Sequence, residues 1–247
     1  MKFINTEVWG FKNAFRGMRN PMNSWDKSDS KGCVPCQHCC VCEDNHTGRC
    51  HGGFIIGEND LKLAQSLIKG GTEHRKFLRQ IFVSVDITAP LYWWTEFDTY
   101  KVGTTANSTS TMHKLTSQPI TLECFEIDDY TSTLDIPLIG LNESLERCVN
   151  VIIDTCEGLR QKYLETKDKR YWKELVRWLP ESWLQMRTVT MNYENLRSMY
   201  KQRKNHKLNE WSGKDTPKSP TFLNLYFCSW VESLPYAEEL ILYGLED

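Results

Sequence analysis

No stretch of the 247 residues approaches the ~20 consecutive apolar residues that a membrane-spanning helix needs. The opening run, MKFINTEVWGFKNAFRGMRN, spreads Phe, Trp and Ile among polar side chains instead of gathering them into an apolar block. It has no signal-peptide pattern, and the expected location is the cytoplasm. Charge of one sign is missing too: 30 Lys and Arg against 32 Asp and Glu leave a formal net charge of -2. That balance supplies no global attraction to nucleic acid or to an anionic membrane. No obviously activated cysteine and no Ser/His/Asp set can be read from the spacing, so no nucleophilic catalyst is assigned.

A chain of 247 residues, 40% of them hydrophobic, can bury a full core. One domain over residues 1–247 is expected, with an insertion at about 31–53. The insertion, KGCVPCQHCCVCEDNHTGRCHGG, holds six of the ten cysteines. Thiols clustered this tightly in a reducing compartment usually serve a metal rather than disulfides. Cys33, Cys36, Cys39 and Cys42 recur every third residue and are the expected ligands, with Cys40, Cys50, His38, His46 and His51 as further donors. Structural zinc, an iron–sulfur cluster and no resident metal all remain open. The spacing resembles a ferredoxin run but lacks its longer last gap and the proline that follows.

Beyond the insertion, Asn59 or Asp60 can cap a helix with Leu61, Ala64, Leu67 and Ile68 on one face, ended by Gly70 and Gly71. Ile81, Val83, Val85 and Ile87 then alternate with Phe82, Ser84 and Asp86, the period of a strand with two faces. The strand leads into TAPLYWWTEFDTYKVGTTANSTSTMHKL. Pro90 suits the first helical position, and Tyr92, Trp93, Trp94 and Phe97 supply a bulky apolar surface. The hydroxyl-rich run that follows, with Gly103 inside it, suits either a ligand-binding loop or a self-satisfied turn.

Two later segments are also legible. Asn142 can cap a long helix whose seam is Leu145, Val149, Ile152, Cys156, Leu159 and Tyr163, which makes Cys156 a core thiol. Asn192 can cap a helix over residues 193–203 with Leu196, Met199 and Tyr200 on its apolar face. The next residue on that stripe is Arg203, and a guanidinium there needs an anion, a carboxylate or a ligand oxygen. The surrounding Lys201, Lys204 and Lys207 read as a solvated face.

Two gapless segments that together cover roughly Glu73 to Trp211, more than half of the chain, resemble the flavin-dependent thymidylate synthases. Ala89 and Pro90 open the family's signature helix, and Glu96 falls where a Gln is usual. Thr99, Tyr100 and Lys101 take the place of Arg-His-Arg, and Thr104 stands for a Ser. Asn107 and Thr111 replace the family's Glu and final Arg. In the second segment Leu179, Pro180, Thr190, Met191 and Asn192 follow the pattern and Arg203 is in register; Arg177 and His206 each lie one position off. The resemblance implies an α+β fold, a mostly antiparallel sheet with long packed helices. It implies reductive methylation of dUMP, or a related pyrimidine nucleotide, at C5, using FAD, methylenetetrahydrofolate and NADPH in a homotetramer. Arg203 would hold and polarise the pyrimidine; Glu96, Ser108, Thr109, Ser110 and Arg177 would bind the nucleotide; His74, Tyr100, Lys101, Val102, Asn192 and His206 would line the flavin. Two other readings stay open: a metal-stabilised nucleic-acid or protein-binding module, suggested by the cysteines and KQRKNHK, and a homologue without activity.

Overall fold

The computed structural model describes residues 1–32, 53–128, 131, 133–138, 141–214 and 226–245. Cys33, Cys36, Cys39 and Cys42 lie outside the described residues. The chain opens with β1 (Lys2–Trp9), α1 (Phe11–Arg19), β2 (Lys31–Gly32), β3 (Phe54–Ile55) and α2 (Glu58–Lys69). It continues through β4 (Phe82–Pro90), α3 (Leu91–Phe97), β5 (Thr105–Ser108), α4 (Thr111–Lys114), β6 (Asp135–Leu138) and β7 (Leu141–Ser144). Then come α5 (Leu145–Thr166), α6 (Lys169–Trp178), β8 (Leu184–Asn192), α7 (Tyr193–Arg203), α8 (Asn209–Ser212) and α9 (Phe227–Glu232). Helices and strands alternate irregularly, as in an α+β fold. Four strands pair in the order β1, β4, β8, β5, while β2 with β3 and β6 with β7 form antiparallel ladders. Among the described residues, no helix is long and apolar enough to cross a membrane.

The residues sort into two compact units. The first comprises Lys2–Ile87, Tyr100–Ala106 and Thr188–Asp247; the second comprises Met1, Thr88–Thr99 and Asn107–Arg187.

In the first unit the alternation along β4 holds: Ile81, Val83, Val85 and Ile87 are fully buried and Phe82 is exposed. The helix α1 was not anticipated, although Phe11, Ala14, Phe15 and Met18 occupy i, i+3, i+4 and i+7 and are all buried. Its stripe was hidden by a Gly and several residues of middling helix propensity. α2 also corrects an expectation. Neither Asn59 nor Asp60 caps it; the Asp29 carboxylate accepts from both of their backbone N–H groups, at 2.9 and 3.0 Å. Asp60 is thereby left inside the helix, fully buried, where it meets Arg19.

The second unit packs Leu115, Ile120, Phe125, Ile153, Cys156 and Leu175 together. The seam of α5 runs through Ile153, 7% exposed, and Ile152 is 46% exposed. Asn142 lies in β7, and Ser144 takes the N-cap position with no side-chain cap. On the same helix Glu157 accepts from the Arg160 guanidinium at 2.7 Å and from the Ile120 N–H at 2.8 Å. The Arg160 bond, with help from Ile120 and Gln161 and against partial burial, brings the Glu157 carboxyl down to about 2.

A carboxyl whose folded pKa is depressed adds stability above its unfolded pKa, about 4.3, and that stability fades as pH falls through the folded value. Acid titration followed by circular dichroism should therefore show wild type losing more stability than Glu157→Gln between roughly pH 4 and 2. Parallel curves would contradict this assignment.

Candidate nucleotide site

Asn192 ends β8 in extended geometry and accepts from the Asn195 N–H at 3.0 Å, while the Asn195 side-chain oxygen accepts from the Asn192 N–H at 3.3 Å. This reciprocal cap satisfies two of the donors that a helix start leaves unpaired. The Asn195 amide also donates to the Val102 carbonyl at 2.8 Å, which ties the turn of residues 100–103 alongside α7. Gly103 sits in that turn at φ +77°, and a Cβ there would come within 2.7 Å of the Asn195 side-chain oxygen. Only glycine meets both demands without strain.

At the other end of α7 stands Arg203, half-buried on the apolar stripe as its position predicted. Its Nε donates to the Tyr100 hydroxyl at 2.8 Å, and its Cζ lies 4.5 Å from the Trp211 ring centroid and 5.5 Å from that of Tyr100. Aromatic faces carry negative charge density, so this pairing stabilises the cation without neutralising it. His206 follows in the next turn, with its ring 6.3 Å from Trp211. Its Nδ1 accepts from the Leu208 N–H at 3.2 Å, which in the neutral ring assigns the proton to Nε2. A cation held on two aromatic rings at the end of α7 can receive a planar ligand bearing carbonyl oxygens.

Neither a family model nor a curated protein sequence matches the chain. Solved structures do. The flavin-dependent thymidylate synthase ThyX from Helicobacter pylori, complexed with FAD and dUMP, aligns with a TM-score of 0.59 at 16% identity, over 98% of this chain and 97% of that one. A second structure of ThyX from Helicobacter pylori, also with FAD and dUMP, gives 0.59 and 16% over 100% of each chain. A UMP/dUMP methylase, PolB from Streptomyces cacaoi, bound with 5-Br dUMP, gives 0.50 and 13% over 76% of this chain and 83% of that one.

The chain has a ThyX-like fold. Within it, the residues singled out from sequence fall into separate groups. Tyr100, Val102, Asn192, Arg203 and His206 belong to the arrangement just described, and Lys101 is exposed beside them on the turn. Asn192 serves as the helix cap, with Asn195 as its clamp on the turn; the Asn-x-x-Asn spacing signals this pair. Trp211 was also missed, since an isolated tryptophan past a helix end carries no pattern of its own.

His74 occupies a different part of the same ThyX-like unit. Its ring packs against Gly70, where a Cβ would approach to 3.2 Å, and it lines a cleft of about 640 Å³. The next residue, Arg75, pairs with Glu194 at 2.9 Å in the first turn of α7. From Glu194 to Arg203 the helix rises about 13 Å, so His74 and Arg203 are approached from opposite ends of α7. The cleft offers Met18, Met22, Leu67 and Phe77 for an apolar ring system, and His74, Lys76, Asn20 and Gln80 for its polar edge and an attached phosphate. That donor set and volume fit a flavin.

Glu96, Ser108, Thr109, Ser110 and Arg177 are in the second unit. Thr109 donates its N–H to the Met186 carbonyl at 2.9 Å and accepts at its own carbonyl from Gln185, so this end of the hydroxyl run is tied to β8 and not folded on itself. Arg177, on α6, pairs with Glu174 at 2.5 Å. Arg187, not anticipated, lies 4.2 Å from the Trp94 ring centroid and pairs with Asp98 at 2.7 Å. In the first unit Lys204 donates to the Leu245 carbonyl at 2.6 Å and so departs from the solvated face expected of it. Two buried thiols are held protonated: burial raises Cys156, and burial with the nearby Glu232 carboxylate pushes Cys228 up to about 12.

Proposed function

We propose that the chain is a flavin-dependent, ThyX-like pyrimidine-nucleotide enzyme that methylates dUMP, or a close relative, reductively at C5. The carbon would come from methylenetetrahydrofolate and the reducing equivalents from NADPH. The observation that carries this reading is Arg203, a guanidinium on a core-facing stripe, aligned by Tyr100 and Trp211. Placed against a uracil carbonyl, it would hold the ring and stabilise negative charge developing there as C5 becomes nucleophilic. Ser108, Thr109 and Ser110, with Glu96 and Arg177, are the proposed contacts to the rest of the nucleotide. Bound FAD, once reduced by NADPH, would supply a hydride. His74 and Lys76 would hold it at the cleft, and Lys101, Val102 and His206 would meet it from the Arg203 end.

A homotetramer is proposed from the resemblance, with His74 and Arg203 toward opposite ends of α7. The cysteine segment is proposed to hold zinc through Cys33, Cys36, Cys39 and Cys42. Its two ends are joined by the β2 and β3 ladder, with Gly32 opposite Phe54. Elemental analysis of purified protein tests that part.

The nucleotide reading is tested by calorimetric titration with dUMP. Arg203→Ala is expected to raise Kd about 10- to 100-fold, the value of one or two charge-assisted hydrogen bonds, with little change in thermal midpoint. Arg203→Lys should recover only part of the loss, because an ammonium lacks the planar fork. An unchanged Kd in Arg203→Ala would overturn the reading.

A further inference from the structure

We infer that Tyr100 is a positioning residue that sets the plane of the Arg203 guanidinium through a one-way hydrogen-bond relay, and thereby sets affinity for the nucleotide; the second half rests on the nucleotide reading above. A guanidinium can only donate. The 2.8 Å contact from Arg203 Nε therefore makes the Tyr100 hydroxyl an acceptor. A hydroxyl has one proton, and that proton goes to Gln202 Oε1 at 3.1 Å. The amide group of Gln202 is thereby oriented, with its Nε2 donating to Ser198 Oγ at 3.2 Å. In this arrangement each bond sets the direction of the next, from Arg203 through Tyr100 and Gln202 to Ser198.

The base of the relay is equally constrained. The Thr104 hydroxyl donates to the Tyr100 carbonyl, and Asn195 holds the Val102 carbonyl, so the backbone carrying the phenol is fixed to α7. Trp211 supplies a second restraint, a ring face 4.5 Å from Cζ. An arginine has four rotatable side-chain bonds, and cation–π contact alone leaves the guanidinium free to turn above the ring. The bond to Nε adds a directional restraint on that rotation. Tyr100 stands where the resemblance has the His of Arg-His-Arg, so orientation by a neutral phenol is a property of this chain.

The test uses the full chain and two readouts. In the ligand-free protein, the Arg203 Nε–H resonance, assigned by its loss in Arg203→Lys, is expected to be protected from solvent exchange. Tyr100→Phe keeps the ring and should abolish that protection. The same variant should raise Kd for dUMP about tenfold, the equivalent of one hydrogen bond to a charged group, with the thermal midpoint nearly unchanged. Gln202→Met should raise it about threefold. Exchange protection that survives in Tyr100→Phe overturns the positioning role. So does a wild-type Kd in that variant when Arg203→Ala binds weakly. A wild-type chain with the protected resonance and no dUMP binding overturns the nucleotide reading and leaves the positioning of Arg203 standing.

Discussion

Asp60→Ala is expected to destabilise the protein by about 3–5 kcal/mol, the usual consequence of removing one partner from a buried ion pair. Asp60 is 0% exposed, and the Arg19 side chain beside it is only 5% exposed. The carboxylate accepts from Arg19 Nε at 2.5 Å, from the Ser28 hydroxyl at 2.7 Å and from the Ser30 N–H at 3.2 Å. Arg19 in turn donates to the Ser24 carbonyl at 3.2 Å. Removal of Asp60 strands a guanidinium without its counterion and takes away the acceptor of the Ser28 hydroxyl and the Ser30 N–H. Burial opposes ionisation here, but the bonds from Ser30, Ser28 and Arg19 outweigh it, and the Asp60 pKa is lowered. Its contribution is thus complete above the unfolded value, near pH 4, and declines as pH falls through the depressed folded value.

Urea unfolding at neutral pH measures the effect. The double variant Arg19→Met with Asp60→Leu should be much closer to wild type, since an apolar pair needs no desolvation. A single variant as stable as wild type would show that the pair adds nothing.

Gly103→Ala ranks second, at about 2–4 kcal/mol. The left-handed conformation itself costs an L-residue about 1–2 kcal/mol. The new methyl would also displace the Asn195 amide, which weakens a helix cap worth roughly 1 kcal/mol and the bond to Val102. For a chain of this size the thermal midpoint should drop by about 5–15 °C. dUMP affinity should fall as well, because the same turn carries Tyr100 to Arg203. A variant with wild-type stability and affinity would mean that the turn does not depend on its glycine.

The parts of the fold legible in sequence are those with a strong period. β4 alternates over nine residues, and α7 starts and ends where Asn192 and its apolar stripe place it. Arg203 was readable for the same reason: a charge on an apolar stripe is a local contradiction that only a partner resolves. The partners were harder to foresee. Asp60 sits where a cap belongs, and only Asp29, some thirty residues earlier, reveals that the cap comes from elsewhere. Trp211 and Arg187 act through ring faces, which leave no spacing in a sequence. Ile153 replaced Ile152 in the core because a four-then-three step from Val149 to Cys156 fits the helical period as well as three-then-four.

A flavin and a pyrimidine nucleotide are proposed to share a site that includes Arg203. The most direct test is the visible absorption spectrum of purified full-length protein after incubation with FAD and removal of the excess, before and after addition of dUMP. The expected result is a retained two-band flavin spectrum that changes on dUMP addition in wild type and changes far less in Arg203→Ala. Colourless protein that retains no FAD, or a flavin spectrum indifferent to dUMP in both proteins, would contradict it.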